Sequence, residues 1–274
     1  MDLFHALVLG LVQGLTEFLP ISSSAHQRIV PALLGWEDPG AAFTAVTQLG
    51  TELAVLLYFR TDLWRIATKW LRALRDASLR RDPDVLVGWY IIVATIPIGL
   101  LGFAFRDQIE TGGRDLVLIG TVLIVFALLL FYADRVSRRT RGIDDLSVRD
   151  GILIGLAQSA ALVPGVSRSG ATMTAGLLLG LERAAAARFS FLLAIPAVVA
   201  SGLFELKDVV GGDSGGSESA AAVALATVVA FVVGYAAIAW LLRYLETHTV
   251  TLFVGYRVVL GALVLALVAA GAIG

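Results

Sequence analysis

The sequence predicts an all-α polytopic membrane protein, with six transmembrane helices and two re-entrant helix pairs arranged as an inverted-topology repeat in one membrane domain, 1–274. Three observations carry this prediction. Of 274 residues, 58% are hydrophobic and 16% charged, with a mean hydropathy of +0.84; that lies well outside the soluble norm, and a soluble alternative would need a larger core than such a chain encloses. Six apolar runs are long enough to cross a bilayer. Two further apolar stretches are each interrupted near the middle by a Pro and a Ser cluster.

The first interrupted stretch runs from Leu3 to Leu34 and carries Glu17, His26 and the hydroxyls of Ser22, Ser23 and Ser24. Pro20 stops the helix that Leu3–Leu19 would form, and the serines supply N-cap chemistry for a new one from about Ser24. Irregular backbone at membrane depth survives only where protein covers it or where it lines a cavity. An intramembrane polar cluster is by default a functional site.

Spans of about 20 residues follow at Ala41–Phe59, Leu86–Phe105, Leu116–Ala133, Ala185–Phe204, Ala220–Leu242 and Val250–Ile273. Seven basic residues lie between Arg60 and Arg81 and five between Arg135 and Arg149, so both loops are expected on the cytoplasmic side. The Gly/Ser-rich loop Glu205–Ser219 is acidic, with Lys207 its only basic residue, and belongs outside with both termini. No basic segment precedes the first apolar run, which therefore reads as mature protein.

The second interrupted stretch, Ile152–Leu181, aligns with the first at an offset of 145 residues. Gly10, Leu11, Gln13, Ser22, Ser24, Leu33, Leu34, Gly35, Glu37, Ala41 and Ala42 all find identical partners, eleven in thirty-three ungapped positions. Each half, roughly 1–133 and 150–274 joined by the basic loop 134–149, is then one broken pair followed by three crossings. Three is odd, so the second half is inverted. Such repeats bring discontinuous helices together near the midplane, where helix N-termini face an anion.

The polar residues suit a phosphoryl group. Gly165 and Gly170 allow close backbone approach, Ser167 and Ser169 cap the next helix, Arg168 offers a planar fork, and Thr172 adds a hydroxyl. An ordinary capped turn with an arginine snorkelling to the interface would give no structural reason for an Arg in mid-segment between two hydroxyls. Gln13 and Glu17, one turn apart, present two oxygens to a hard cation such as Mg²⁺ or Ca²⁺. Ser23 and His26 stand close enough to cooperate as nucleophile and proton-transfer group. Glu52 and Arg257 are intramembrane charges that pair with each other, serve the site or lie near an interface; His5 and His248 fall near span ends. There is no Cys, which excludes disulfide and thiolate chemistry, and no P-loop, dinucleotide fingerprint, zinc motif or nucleophile elbow.

Gln13-x-x-x-Glu17-Phe-Leu-Pro-Ile-Ser-Ser23-Ser-Ala-His26, Pro164-Gly-Val-Ser-Arg168-Ser-Gly-Ala-Thr172 and Arg188-Phe-Ser-Phe-Leu-Leu-Ala-Ile-Pro196 together resemble the undecaprenyl-diphosphate phosphatases of the bacitracin-resistance type, over essentially the whole chain. The resemblance implies a cell-membrane enzyme of lipid-carrier recycling. It would hydrolyse a polyprenyl diphosphate to the monophosphate and inorganic phosphate, with a divalent cation, at a site opening to the outer face. Glu17, Ser23, His26 and Arg168 take the catalytic positions, Glu17 and Gln13 the metal positions, and Gln13, Ser22, Ser24, Gly165, Ser167, Ser169 and Thr172 those around the substrate. Many members carry Glu where this chain has Gln13. The expected partners are the lipid substrate and membrane lipids, not nucleic acid, and the sequence leaves monomer or homodimer open. A polyprenyl-phosphate transporter or flippase would use the same cradle, but binding alone does not require Glu17, Ser23 and His26.

Overall fold

The computed structural model describes residues 1–105, 115–210 and 219–273, apart from the side chains of 41–42 and 197–210. The described residues form eleven α-helices and three short 3₁₀ turns, with one isolated bridge, Arg141–Leu181, and no strand. In chain order the helices are α1 Leu3–Phe18, α2 Ser23–Leu34, α3 Gly40–Tyr58, α4 Arg60–Ala73, α5 Pro83–Ala104, α6 Leu116–Val136, α7 Val148–Ser159, α8 Arg168–Leu178, α9 Arg183–Val210, α10 Ala220–Thr247 and α11 Thr251–Ala269.

Four of these, α5, α6, α10 and α11, are long and apolar enough to span a bilayer. Many of their large apolar side chains point outward, among them Leu100, Phe103, Val232 and Val259. In water such a surface would drive aggregation; in lipid it is the proper exterior. The chain is thus a multi-pass membrane protein. The stretches Ala41–Phe59 and Ala185–Phe204 also fall on helices, α3 and α9. Most of the acidic loop read at Glu205–Ser219 lies outside the described residues, whereas its first residues continue α9.

Both interrupted stretches are broken where the Pro and Ser clusters stand. Helix α1 ends at Phe18 and α2 restarts at Ser23; α7 ends at Ser159 and α8 restarts at Arg168. The N-caps of the restarted helices are Ser22 and Ser167, with φ of 75° and 71°. Left-handed backbone is uncommon for a side chain other than Gly, and it persists here because each cap is held from several sides. Ser22 Oγ accepts from Ala25 N–H and contacts Ser24 Oγ, and Ser167 Oγ accepts from Gly170 N–H and contacts Ser169 Oγ. Equivalent partners stand at the offset that aligned the two stretches in sequence. Gly35 and Gly180, also equivalent, both take positive φ just after their helices.

The two breaks meet because small residues let the helices around them close up. α1 packs along α10, and α7 along α5. A Cβ at Gly10 would stand 2.6 Å from the Ala226 carbonyl oxygen, and one at Gly155 2.4 Å from that of Ala94. α6 and α11 pair at Gly120 and Gly261, where a Cβ on Gly261 would lie 2.6 Å from the Gly120 oxygen. Small residues that allow close backbone approach characterise helix association in membranes.

One stretch differs from its reading as a loop. Residues Arg60–Arg81 form α4 and a 3₁₀ turn at Ala77–Arg81, with Leu63, Ile66 and Trp70 turned inward against α5.

Candidate active site at the two helix breaks

Glu17 is the hub. It sits in the last turn of α1, and its carboxylate is reached from three directions. Ser23 Oγ donates to Oε2 at 2.5 Å, Gln13 Nε2 donates to the same oxygen at 3.0 Å, and Arg168 Nη2 donates to Oε1 at 2.8 Å. Ser23 and Arg168 open the two restarted helices, so the ion pair ties one break to the other. Ser169 Oγ adds a second tie by donating to the Leu19 carbonyl.

Behind this contact lies Arg257 of α11, fully buried. Its guanidinium donates to the carbonyls of Leu123, Pro20, Gly165 and Val166. One cation thereby satisfies carbonyls that both breaks leave without helical partners, as buried backbone requires. Gly170 is needed beside it, because a Cβ there would stand 2.9 Å from Arg257 Nη1. The sequence marked Arg257 as an intramembrane charge without fixing its use. Two broken helices with orphan carbonyls were the signal for it.

A cavity of about 340 Å³ opens over the hub, lined by Glu17, Ser22, Ser23, Ser24, Gln48, Ile98, Ala161, Leu162, Ser167 and Arg168. Its polar groups come from the two breaks and from Gln48 of α3, while Ile98, Ala161 and Leu162 form an apolar wall. Helix N-termini, hydroxyls and a guanidinium around one space favour an anion.

The expected residues divide into those that line this space and those that support it. Glu17, Ser22, Ser23, Ser24, Ser167 and Arg168 line it. Thr172 is buried beneath, its hydroxyl donating to the Arg168 carbonyl and in hydrogen-bond contact with Ser190 Oγ. Gly165, at φ +93°, turns its carbonyl to Arg257. Gln13 stands behind Glu17. Both ring nitrogens of His26 are engaged away from Ser23 Oγ: Nδ1 meets the Ser22 carbonyl at 2.7 Å and Nε2 meets Tyr256 Oη at 2.6 Å. A carbonyl only accepts, so Nδ1 carries the proton, and in the neutral imidazole Nε2 accepts from Tyr256. Gln48, Gln27 and Tyr256 were not singled out from the sequence. Gln27 lies one turn beyond Ser23, a polar residue on the same face, and that spacing could have found it.

The arrangement bears on a metal ion. Gln27 donates from one nitrogen to the Leu9 carbonyl and to Gln13 Oε1, so the Gln13 carbonyl is taken and its NH₂ faces Glu17. Among the described residues no group of three or more His, Cys, Asp or Glu side chains comes together. The chain itself offers one carboxylate and neighbouring hydroxyls. That donor set suits a hard cation sharing the phosphate oxygens of a ligand.

Fold and cavity together define a polytopic membrane protein with an anion-receptive chamber between two helix breaks. The chain belongs to the family of the bacitracin resistance protein BacA, whose match spans residues 6–263. It is similar to an undecaprenyl-diphosphatase of a Nocardioides species, 59% identical over 272 residues that cover 99% of this chain and 98% of that protein. Undecaprenyl-diphosphatase 2 of Frankia casuarinae is 58% identical over 285 residues, 100% and 97% of the two chains. The undecaprenyl-diphosphatase of Thermobifida fusca is 55% identical over 271 residues, 99% and 92%.

Proposed function

We infer that this protein is an undecaprenyl-diphosphate phosphatase, a membrane hydrolase that cleaves the phosphoanhydride of a polyprenyl diphosphate to yield the monophosphate and inorganic phosphate. The observation that carries the mechanism is the Glu17 carboxylate in hydrogen-bond contact with both Ser23 Oγ and Arg168 at the cavity. A headgroup phosphate entering there competes with Glu17 for Arg168. Once Arg168 turns to the phosphate, Glu17 keeps Ser23 and is free to take its proton. Ser23 Oγ then attacks the terminal phosphorus, the bond to the bridging oxygen breaks, and the polyprenyl monophosphate leaves with the proton that Glu17 had taken. Glu17, a carboxylate again, deprotonates water, which attacks the same phosphorus; the Ser23 Oγ–phosphorus bond breaks, Ser23 recovers the proton from Glu17, and inorganic phosphate leaves. Arg168 and the hydroxyls of Ser22, Ser24 and Ser167 neutralise the transferring group, the dominant contribution in phosphoryl transfer.

A divalent cation, Mg²⁺ or Ca²⁺, would be held by Glu17 together with phosphate oxygens and would supply further charge neutralisation when bound. His26 holds the Ser22 carbonyl, and through it the strained cap next to Ser23; this supports a positioning role for it. Direct attack by water activated by Glu17 is the competing path, and the short Ser23–Glu17 contact favours the serine. A transporter has no use for that contact, and the named relatives are diphosphatases.

The paired Ser22 and Ser167 caps support an inverted-topology repeat, with α1–α2 and α7–α8 as re-entrant pairs and α3, α5, α6, α9, α10 and α11 as the six crossings. The basic segments support an orientation with α4 and the 134–149 connection on the cytoplasmic side, and both termini and the cavity mouth on the outer side. The test is phosphate release from a polyprenyl diphosphate by purified protein, with and without chelator. Turnover that survives Glu17→Ala and Arg168→Ala would refute the site.

A further inference from the structure

Helix α4 takes no part in the cavity, yet it is built with unusual asymmetry. Only Phe59 separates its 14 residues from the end of α3, and Asp82 caps α5 soon after the turn that follows it. Connection therefore fixes it at the end of two membrane helices. Its inner face packs against the start of α5, a helix long and apolar enough to span: a Cβ on Gly88, in the second turn of α5, would lie 3.1 Å from Trp70 and 3.2 Å from Ile66, and the Trp70 and Trp89 rings stand 5.1 Å apart.

The same face is pinned by charge. Lys69 bridges Asp82 and Asp84, Arg65 bridges Asp62 and Asp84, and Asp62 also receives Arg188 of α9. The outer face holds Trp64, 74% exposed, with Leu71 and Leu74 also exposed. Positions 64 and 71 lie two turns apart on one stripe. Beside this stripe and on the turn that follows stand Arg72, Arg75, Arg80 and Arg81, all exposed, and among the described residues no carboxylate pairs with any of them.

We propose that α4 and the turn Ala77–Arg81 form an in-plane surface helix that docks on anionic phospholipid headgroups of the leaflet around the protein. Trp64, Leu71 and Leu74 enter the boundary between headgroups and chains, and the four unpaired arginines meet lipid phosphates. An apolar stripe flanked by cations is what such a surface takes, and juxtamembrane arginines are attracted to an anionic leaflet. The occupant is lipid and not a soluble partner because connection and packing hold the stripe at the membrane boundary. The inference stands apart from the chemistry assigned to the cavity.

The full-length protein is reconstituted in vesicles of phosphatidylcholine alone or with roughly a third phosphatidylglycerol, with bromine carried on the acyl chains. The fluorescence difference between wild type and Trp64→Phe isolates Trp64. Expected is quenching of that component by brominated chains, with little by aqueous iodide. In parallel, Arg72→Gln/Arg75→Gln/Arg80→Gln/Arg81→Gln lowers the ratio of retained phosphatidylglycerol to phosphatidylcholine by about tenfold or more. Iodide access without bromolipid quenching overturns the proposal, as does shielding from both, which would put a second copy or another protein on the stripe. Unchanged lipid retention in the four-arginine variant overturns the headgroup assignment.

Discussion

Glu17 and Arg168, 151 residues apart in sequence, form an ion pair of 2.8 Å across the two helix breaks, with both side chains largely withdrawn from solvent. In the proposed mechanism each group surrenders its partner when a phosphate arrives. Glu17→Gln keeps the shape but loses the base and the charge, and Arg168→Ala loses the phosphate clamp. Each is expected to cut kcat/KM by about 10²-fold or more, measured as phosphate release. The double variant should fall by much less than the product of the two, because residues acting as a unit are not additive.

The roles assigned to Ser23 and His26 predict different kinetic losses. Ser23→Ala removes the attacking oxygen, and its kcat should drop by about 10³-fold or more. Rapid acid quench of wild type should trap phosphoserine at that position. His26 touches the Ser22 carbonyl and Tyr256, so His26→Asn, which preserves a donor, should retain more activity than His26→Ala. Equal collapse in both variants would assign the imidazole to proton transfer after all.

Arg257 should matter to folding more than to chemistry. Arg257→Met fills the space but leaves the Pro20, Gly165 and Val166 carbonyls of the two breaks without their donor. A buried group left unsatisfied costs about 1–3 kcal/mol, so the variant should lose a comparable or larger amount, seen as a lower melting temperature in detergent. Gly170→Ala, which crowds the same guanidinium, should weaken the protein in the same direction. Gly99→Ala, where a Cβ meets nothing within 4 Å, is the control and should stabilise by roughly 0.5–1 kcal/mol.

The breaks and the cradle were legible because Pro, Ser and Arg in apolar surroundings have few structural uses, and because eleven matched positions exposed the repeat. What stayed hidden depended on partners far away in sequence. Nothing local indicates that Arg257 serves carbonyls from three segments, or that Tyr256 meets His26 Nε2 across 230 residues. Helix α4 was missed for another reason. A basic segment read for charge alone hides the spacing of Leu63, Ile66 and Trp70 that turns one face toward α5. Gln158 shows where symmetry stops informing: it matches Gln13 in sequence, but the position matching Glu17 is Leu162, and its buried amide finds no partner among the described residues.

Asp150 supplies a pH test at a place remote from the cavity. It lies in the first turn of α7, ahead of the apolar stretch that begins at Ile152. Arg141 reaches its carboxylate at 2.6 Å, and the Ser147 backbone N–H and hydroxyl at 2.8 and 2.7 Å. Burial by itself raises this carboxyl, but the hydrogen bonds from Arg141 and Ser147 outweigh it and hold the group below the usual carboxylate value. A carboxylate with a lowered folded-state pKa contributes stability that is fully present above its unfolded value of about 3.9 and is lost as pH falls through the folded value. Asp150→Asn should therefore melt below wild type at pH 7, and the gap should close as pH drops beneath about 4. Arg141 also donates to the Leu179 carbonyl, and its backbone pairs with Gly180 and Glu182, so the contact joins the start of α7 to the end of α8. Thermal melts of both proteins at pH 7, 5 and 3 read the difference directly. A gap that stays constant across that range would mean that the carboxylate charge contributes nothing, and that Asp150 acts at α7 only as a neutral hydrogen-bonding cap.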